Sequence, residues 1–137
     1  MILYNSETDF VLNQAENISG WITKTIESES KSEGDISYIF CDDDYLLDIN
    51  VKYLNHNTLT DIISFDYTDE GLISGDIFIS IDRIKENAQK YNVSFEDELY
   101  RVMIHGILHF CGYKDKTKEE EQLMRSKEDY YLSLRTF

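Results

Sequence analysis

Proline is absent from the 137 residues, cysteine occurs twice, histidine three times, and 13 basic residues stand against 27 acidic ones. With no proline and no Gly/Ser-rich or low-complexity stretch, nothing reads as a linker, and residues 1–137 are expected to form a single domain around one core. Cys41 and Cys111 lie far apart in apolar surroundings, so neither a CxxC metal knuckle nor the disulfide framework of a secreted protein is available. The longest near-apolar run, Val102 to Tyr113, is too short to span a bilayer, and residues 1–9 contain no basic region followed by an apolar one. These absences lead us to expect a soluble protein of the reducing cytoplasm, with no membrane partner.

The shortage of basic residues leaves a formal net charge of −14. That sign repels nucleic acid at long range and suits basic protein partners or bound cations. It argues against non-specific nucleic-acid binding but does not exclude an RNA enzyme, because Lys114, Lys116 and Lys118 beside a bound metal could reverse the sign where a phosphate docks.

What is present has a regular order. Ile2 to Glu7 reads as a short strand. Phe10, Val11, Ala15, Ile18, Trp21, Ile22 and Ile26 then recur at helical spacing. Asp35 to Cys41 reads as a strand bounded by Gly34 and by Asp42-Asp43-Asp44, three acids suited to the start of a helix that carries Leu46, Leu47, Ile49, Asn50 and Tyr53. Ile62 to Phe65 and Gly75 to Ile81 are β-rich runs joined through Asp69-Glu70-Gly71, and are expected to pair antiparallel. Helix is expected again after Asp82. Ser94-Phe-Glu-Asp97 is a capping-box variant opening a helix that runs to Gly112, and Thr117 to about Leu134 forms a last, charged helix. The order predicts an α+β fold in which one small mixed sheet of about four strands packs with about five helices.

From Val102 to Tyr113 the only strongly polar side chains are His105 and His109. Four residues apart on a helix, they differ by about 40° of rotation and one turn of rise, so both imidazoles leave one face and can meet one ion. A lone histidine there would read as a core imidazole bonded to a carbonyl or carboxylate. Two of three histidines paired on a buried helix favour ligation, because burying two unpartnered imidazoles is costly. Gly112 lets the chain fold back, and Asp115 is then the best-placed third donor. Lys114 cannot ligate while protonated. Cys111, about 200° around the helix from His109, reads as a small core residue.

Such a triad, His105, His109 and Asp115, suits Zn²⁺ and leaves a fourth position for water that the ion makes acidic, ready to attack a phosphodiester. Gly106 in mid-helix costs about 1 kcal/mol relative to Ala, which points to close approach of a strand or ligand. It also occupies the place of the general-base Glu in zinc proteases of the His-Glu-x-x-His type. The histidine spacing is shared with those proteases, and the base is missing.

The run His105-Gly-Ile-Leu-His109-Phe-Cys-Gly112-Tyr113-Lys114-Asp115 resembles the signature of the YbeY family, His-Gly-x-Leu-His-x-x-Gly-Tyr-Asp-His. Asn50-x-x-Tyr53, Thr60-Asp61-Ile62-Ile63-Ser64-Phe65 and Gly75-Asp76-Ile77 are similar to the family's other motifs, in the same order, so the resemblance covers roughly residues 45 to 135. It implies a metal-dependent single-strand endoribonuclease of ribosomal RNA maturation. The expected partners are then ribosomal RNA or a small-subunit particle, reached through a basic ribosomal protein, with no organic cofactor. Asp115 stands where the family has its third histidine, and Lys114 where it has Asp. Leu54 stands where it has an arginine thought to face the substrate, with His56 and Lys52 the nearest alternative cations. Asp61, Ser64 and Asp76 match cleft positions of the family but read equally as a turn, an edge hydroxyl and a strand-start cap. A non-catalytic ribosome-assembly module with a structural metal is the alternative function, and a metalloprotease the third.

Overall fold

The computed structural model describes residues 1–137. Its elements run β1 (Ile2–Ser6), α1 (Ala15–Ser28), β2 (Ser32–Cys41), α2 (Asp43–Leu54), β3 (Ile62–Asp66), β4 (Leu72–Ser80), α3 (Ile81–Tyr91), α4 (Phe95–Phe110) and α5 (Lys118–Ser133). The four strands form one mixed sheet in the order β1-β2-β4-β3, with β1, β2 and β4 parallel and β3 antiparallel to β4. This is the α+β arrangement of four strands and five helices expected from the hydrophobic pattern.

Alternation along the strands divides the apolar side chains between two faces. Ile36, Tyr38, Phe40, Ile77 and Ile79 pack with Ile18, Trp21 and Ile22 of α1 and with Met103, Ile104 and Ile107 of α4 in the main core. Cys41 and Ile63 meet Leu46 of α2 in a smaller cluster, with Phe65 and Phe78 packed against it. α4 therefore lies on the main-core face and is buried along most of its length.

Several boundaries move, among them that of β4, which begins at Leu72 and not at Gly75. The first helix begins at Ala15, not Phe10, because Gln14 takes a left-handed backbone (φ 62°). Phe10 is nonetheless packed, 5.1 Å from the Phe40 ring and 5.8 Å from that of Phe95, so its periodicity reported burial and not helix. β2 starts at Ser32, and a register shift between Glu33 and Ile36 falls on the predicted boundary. α3 starts at Ile81, with the Ser80 hydroxyl accepting from the Arg83 amide. The Ser94 box forms by half: its hydroxyl caps Asp97, whose carboxylate instead accepts from Arg135 at 2.7 Å.

Candidate metal centre

α4 carries the histidine pair because its core-facing residues seat it against the sheet. Gly106 makes that seating close: an added Cβ would lie 2.9 Å from the Ile77 side chain and 3.2 Å from Ile62. The close approach predicted for Gly106 is thus made by strand side chains, and no carboxylate fits where a protease would hold its base.

The helix then stops on Gly112 (φ 109°), whose amide donates to the His109 carbonyl while the Tyr113 amide donates to that of Leu108. This pair of bonds is the Schellman ending. It returns the chain across the end of α4, so that the Tyr113 carbonyl accepts from His109 Nδ1 at 2.9 Å. A carbonyl can only accept, so Nδ1 carries the hydrogen, and on the neutral ring Nε2 is a bare lone pair. His105 Nδ1 faces the buried carboxylate of Glu128 on α5 at 2.7 Å, which sets the same tautomer.

The two Nε2 atoms then converge on Asp115, lying 3.3 Å (His105) and 3.2 Å (His109) from the same carboxylate oxygen. His105, His109 and Asp115 are the group of potential ligands whose donor atoms all lie within 4.8 Å of one another. Three lone-pair donors facing one another repel unless a proton or cation lies between them. Imidazoles oriented through Nδ1 by a carboxylate and a carbonyl are the usual support of a metal-binding histidine. The donor set fits a small divalent ion.

Electrostatics follow the same contacts. Burial alone would depress the His105 pKa, but the Glu128 hydrogen bond and the charges of Glu128, Asp115 and Asp61 hold it above the ordinary imidazole value. Burial favours the protonated form of Glu128, yet His105 and Arg101 keep its pKa below the usual carboxylate range. Arg101 bridges Glu128 at 2.8 Å and Asp129 at 2.7 Å, tying α4 to α5. A third tie reaches α1: Glu29 accepts from the Tyr113 hydroxyl at 2.6 Å and from Tyr131, with Lys127 at 3.4 Å.

The triad borders a cleft of about 510 Å³, whose opposite wall includes Thr60, Asp61, Ser64, Asn87 and Tyr91. Asp61 and Ser64 therefore face the cleft, whereas Asp76 lies within β4, paired with Phe65, and does not line it. Lys114, Lys116 and Lys118 are exposed on or beside the return turn and do not line the cleft; the cations that do are Arg101 and Arg125. Leu54 and His56 line a neighbouring hollow that shares Thr60, Ile62 and Ser64 with the cleft. Glu128, Arg101 and Glu98 escape a reading of the sequence, since each looks like an ordinary helix-surface charge until α5 and the cleft wall are placed against α4.

A family model described as Endoribonuclease YbeY matches residues 3–135. Proteins named Endoribonuclease YbeY from Flavobacterium johnsoniae and Flavobacterium psychrophilum are 58% and 59% identical over 134 residues, each comparison covering 98% of this chain and 96% of the relative. One from Cytophaga hutchinsonii is 47% identical over 138 residues, covering all of this chain and 96% of the relative. The solution structure of TM1509 from Thermotoga maritima is similar in fold, with a TM-score of 0.72 at 26% identity, covering 97% of this chain and 87% of that one.

Proposed function

The chain belongs to the YbeY family of endoribonucleases, and from that premise we propose that it cleaves single-stranded RNA in ribosomal RNA maturation, using a zinc ion held by His105, His109 and Asp115. The observation that carries the metal reading is the commitment of both Nδ1 atoms to acceptors, which aims two Nε2 lone pairs at one carboxylate oxygen. Two imidazoles and a carboxylate are a donor set zinc accepts, with a position to spare. When bound, such an ion supplies Lewis acidity and lowers the pKa of water toward neutrality.

The chain's own residues supply position and charge. Glu128 and the Tyr113 carbonyl orient the imidazoles. Arg125, half exposed on the cleft with its nearest carboxylate partner at 3.7 Å, is the cation free to meet a phosphodiester, in the absence of an arginine at Leu54. Arg101 is engaged by Glu128 and Asp129 and acts through them. The −14 charge makes a naked RNA duplex a poor partner and favours substrate presented on a small-subunit particle through a basic ribosomal protein. The setting is the cytoplasm, with residues 1–137 working as one domain; no helix is long and apolar enough to cross a membrane.

Leu54, 43% exposed at the end of α2, favours a second reading, a non-catalytic assembly module with a structural metal. Cleavage of a single-stranded RNA separates the two. Cleavage that stops with a chelator, returns with zinc and is lost in His109→Ala supports the enzyme. Metal-dependent particle binding without cleavage would establish the module.

A further inference from the structure

Two turns before His105, on the same face of α4, Glu98 lines the cleft at 6% exposure. No hydrogen bond or ion pair reaches its carboxylate, and its oxygens open onto the cleft. Burial and the neighbouring Asp61 raise its pKa, against Arg101 and Arg125. Asp61 itself is raised chiefly by burial, against His105 and the backbone amides of Asp61 and Ile62, and takes a long side-chain hydrogen bond of 3.4 Å from Asn87. A charged acceptor in the cleft wall that has no protein donor is served only by what occupies the cleft. Its presence is explained by something that enters the cleft and brings donors.

The chemistry narrows what that is. A second cation is disfavoured, because only His105, His109 and Asp115 bring three ligand atoms within 4.8 Å of one another. A phosphate would be repelled by Glu98 and Asp61 together. Direct action on the scissile group is out of reach, because seven residues of helix separate Glu98 from His105 by about 10 Å, beyond hydrogen-bond range. A neutral ligand with N–H donors, lying beside the reacting centre, meets every condition. On a single strand that description fits a nucleobase displaying its Watson–Crick edge.

We propose that Glu98 reads a guanine flanking the scissile phosphodiester, its two oxygens accepting from N1–H and the 2-amino group; this rests on the endoribonuclease reading above. Guanine is the RNA base with two adjacent donors on that edge, matching an acceptor-only carboxylate in bidentate fashion. Adenine and cytosine place a ring-nitrogen acceptor beside their amino group, and that lone pair would oppose the second carboxylate oxygen. Uracil has one N–H between two carbonyls. Tyr91, 52% exposed on the opposite wall, offers a face for the base to stack on, whichever base it is.

The test uses non-cleavable 2′-O-methyl hexanucleotides of uracil with one central G, inosine, A or C, and reads their affinity for zinc-loaded protein. Wild type is expected to bind the G strand about tenfold or more tighter than the A strand, with inosine, which lacks the 2-amino group, in between. In Glu98→Gln the G-to-A ratio falls to near one, whereas Tyr91→Ala weakens every strand and keeps the ratio. A ratio near one in wild type, a guanine preference that survives Glu98→Gln, or a preference for cytosine would each overturn the assignment. Strands bound and cleaved without discrimination would end this inference alone; no binding and no cleavage of any RNA would end the endoribonuclease reading with it.

Discussion

The two ends of the α4 cleft face treat polar groups in opposite ways. At the C-terminal end each imidazole has its Nδ1 satisfied, by Glu128 and by the Tyr113 carbonyl, so that only the Nε2 atoms are left to converge. At the N-terminal end the Glu98 side chain is packed more deeply, and its carboxylate faces the cleft without a protein partner. Both ends depart from a settled core, in different senses. The histidine end presents oriented nitrogen lone pairs and a carboxylate that together suit a cation. The Glu98 end is left open to donors that must come from outside.

The comparison sharpens most when one substitution is made at both ends. Glu128→Gln keeps an acceptor for His105 but removes the charge that raises ligand basicity, and is expected to weaken zinc binding about tenfold. Glu98→Gln, facing the same cleft, leaves zinc affinity unchanged. Titration of each apo-protein with zinc against a competing chelator checks both. Equal losses would mean that the metal responds to the overall field of the cleft and not to its oriented neighbours.

A smaller effect comes from the turn that aims His109. Gly112→Ala forces a side chain onto φ 109° with nothing nearby to clash, so its cost is backbone strain, about 1–2 kcal/mol in a chemical denaturation experiment. Because the same turn presents the Tyr113 carbonyl, zinc affinity should fall as well. Unchanged affinity in a destabilised protein would separate the turn from the metal.

Smallest, and confined to acid, is the contribution of Glu29. Burial would raise its pKa, but the hydroxyls of Tyr113 and Tyr131 and the ammonium of Lys127 bring it below the ordinary 4.5. A depressed folded-state pKa contributes stability that is complete above the unfolded value and lost as pH falls through the folded one. Wild type should therefore exceed Glu29→Gln in stability at neutral pH, by about 1.5 kcal/mol for hydrogen bonds to a charged acceptor. The difference should shrink below about pH 4.5. A difference that persists undiminished into acid would show that packing, not charge, ties α1 to the return turn.

Much of this was legible in the sequence, for physical reasons. A charge-free run ending in glycine marks a buried helix and its stop, and a histidine pair at four-residue spacing within that run is costly unless it is used. Gly112 and Asp115 follow from the return of the chain. Glu128 does not, because its meeting with His105 depends on how α5 crosses α4, and α5 reads along the chain only as a charged helix. Glu98 is hidden among Glu96 and Asp97, acids that suit any helix N-terminus; its burial exists only once the cleft wall is in place. Phe10 shows the converse error, in which apolar spacing reports a buried side chain and is silent about the backbone that delivers it.

The central claim is that three residues, one of them an aspartate, hold one metal ion. Metal content of purified wild type beside His105→Ala, His109→Ala and Asp115→Ala tests it most directly. About one equivalent of zinc in wild type, lost in each variant, is the predicted result for a three-ligand site. Full occupancy in Asp115→Ala would contradict it, by removing the third ligand from the account.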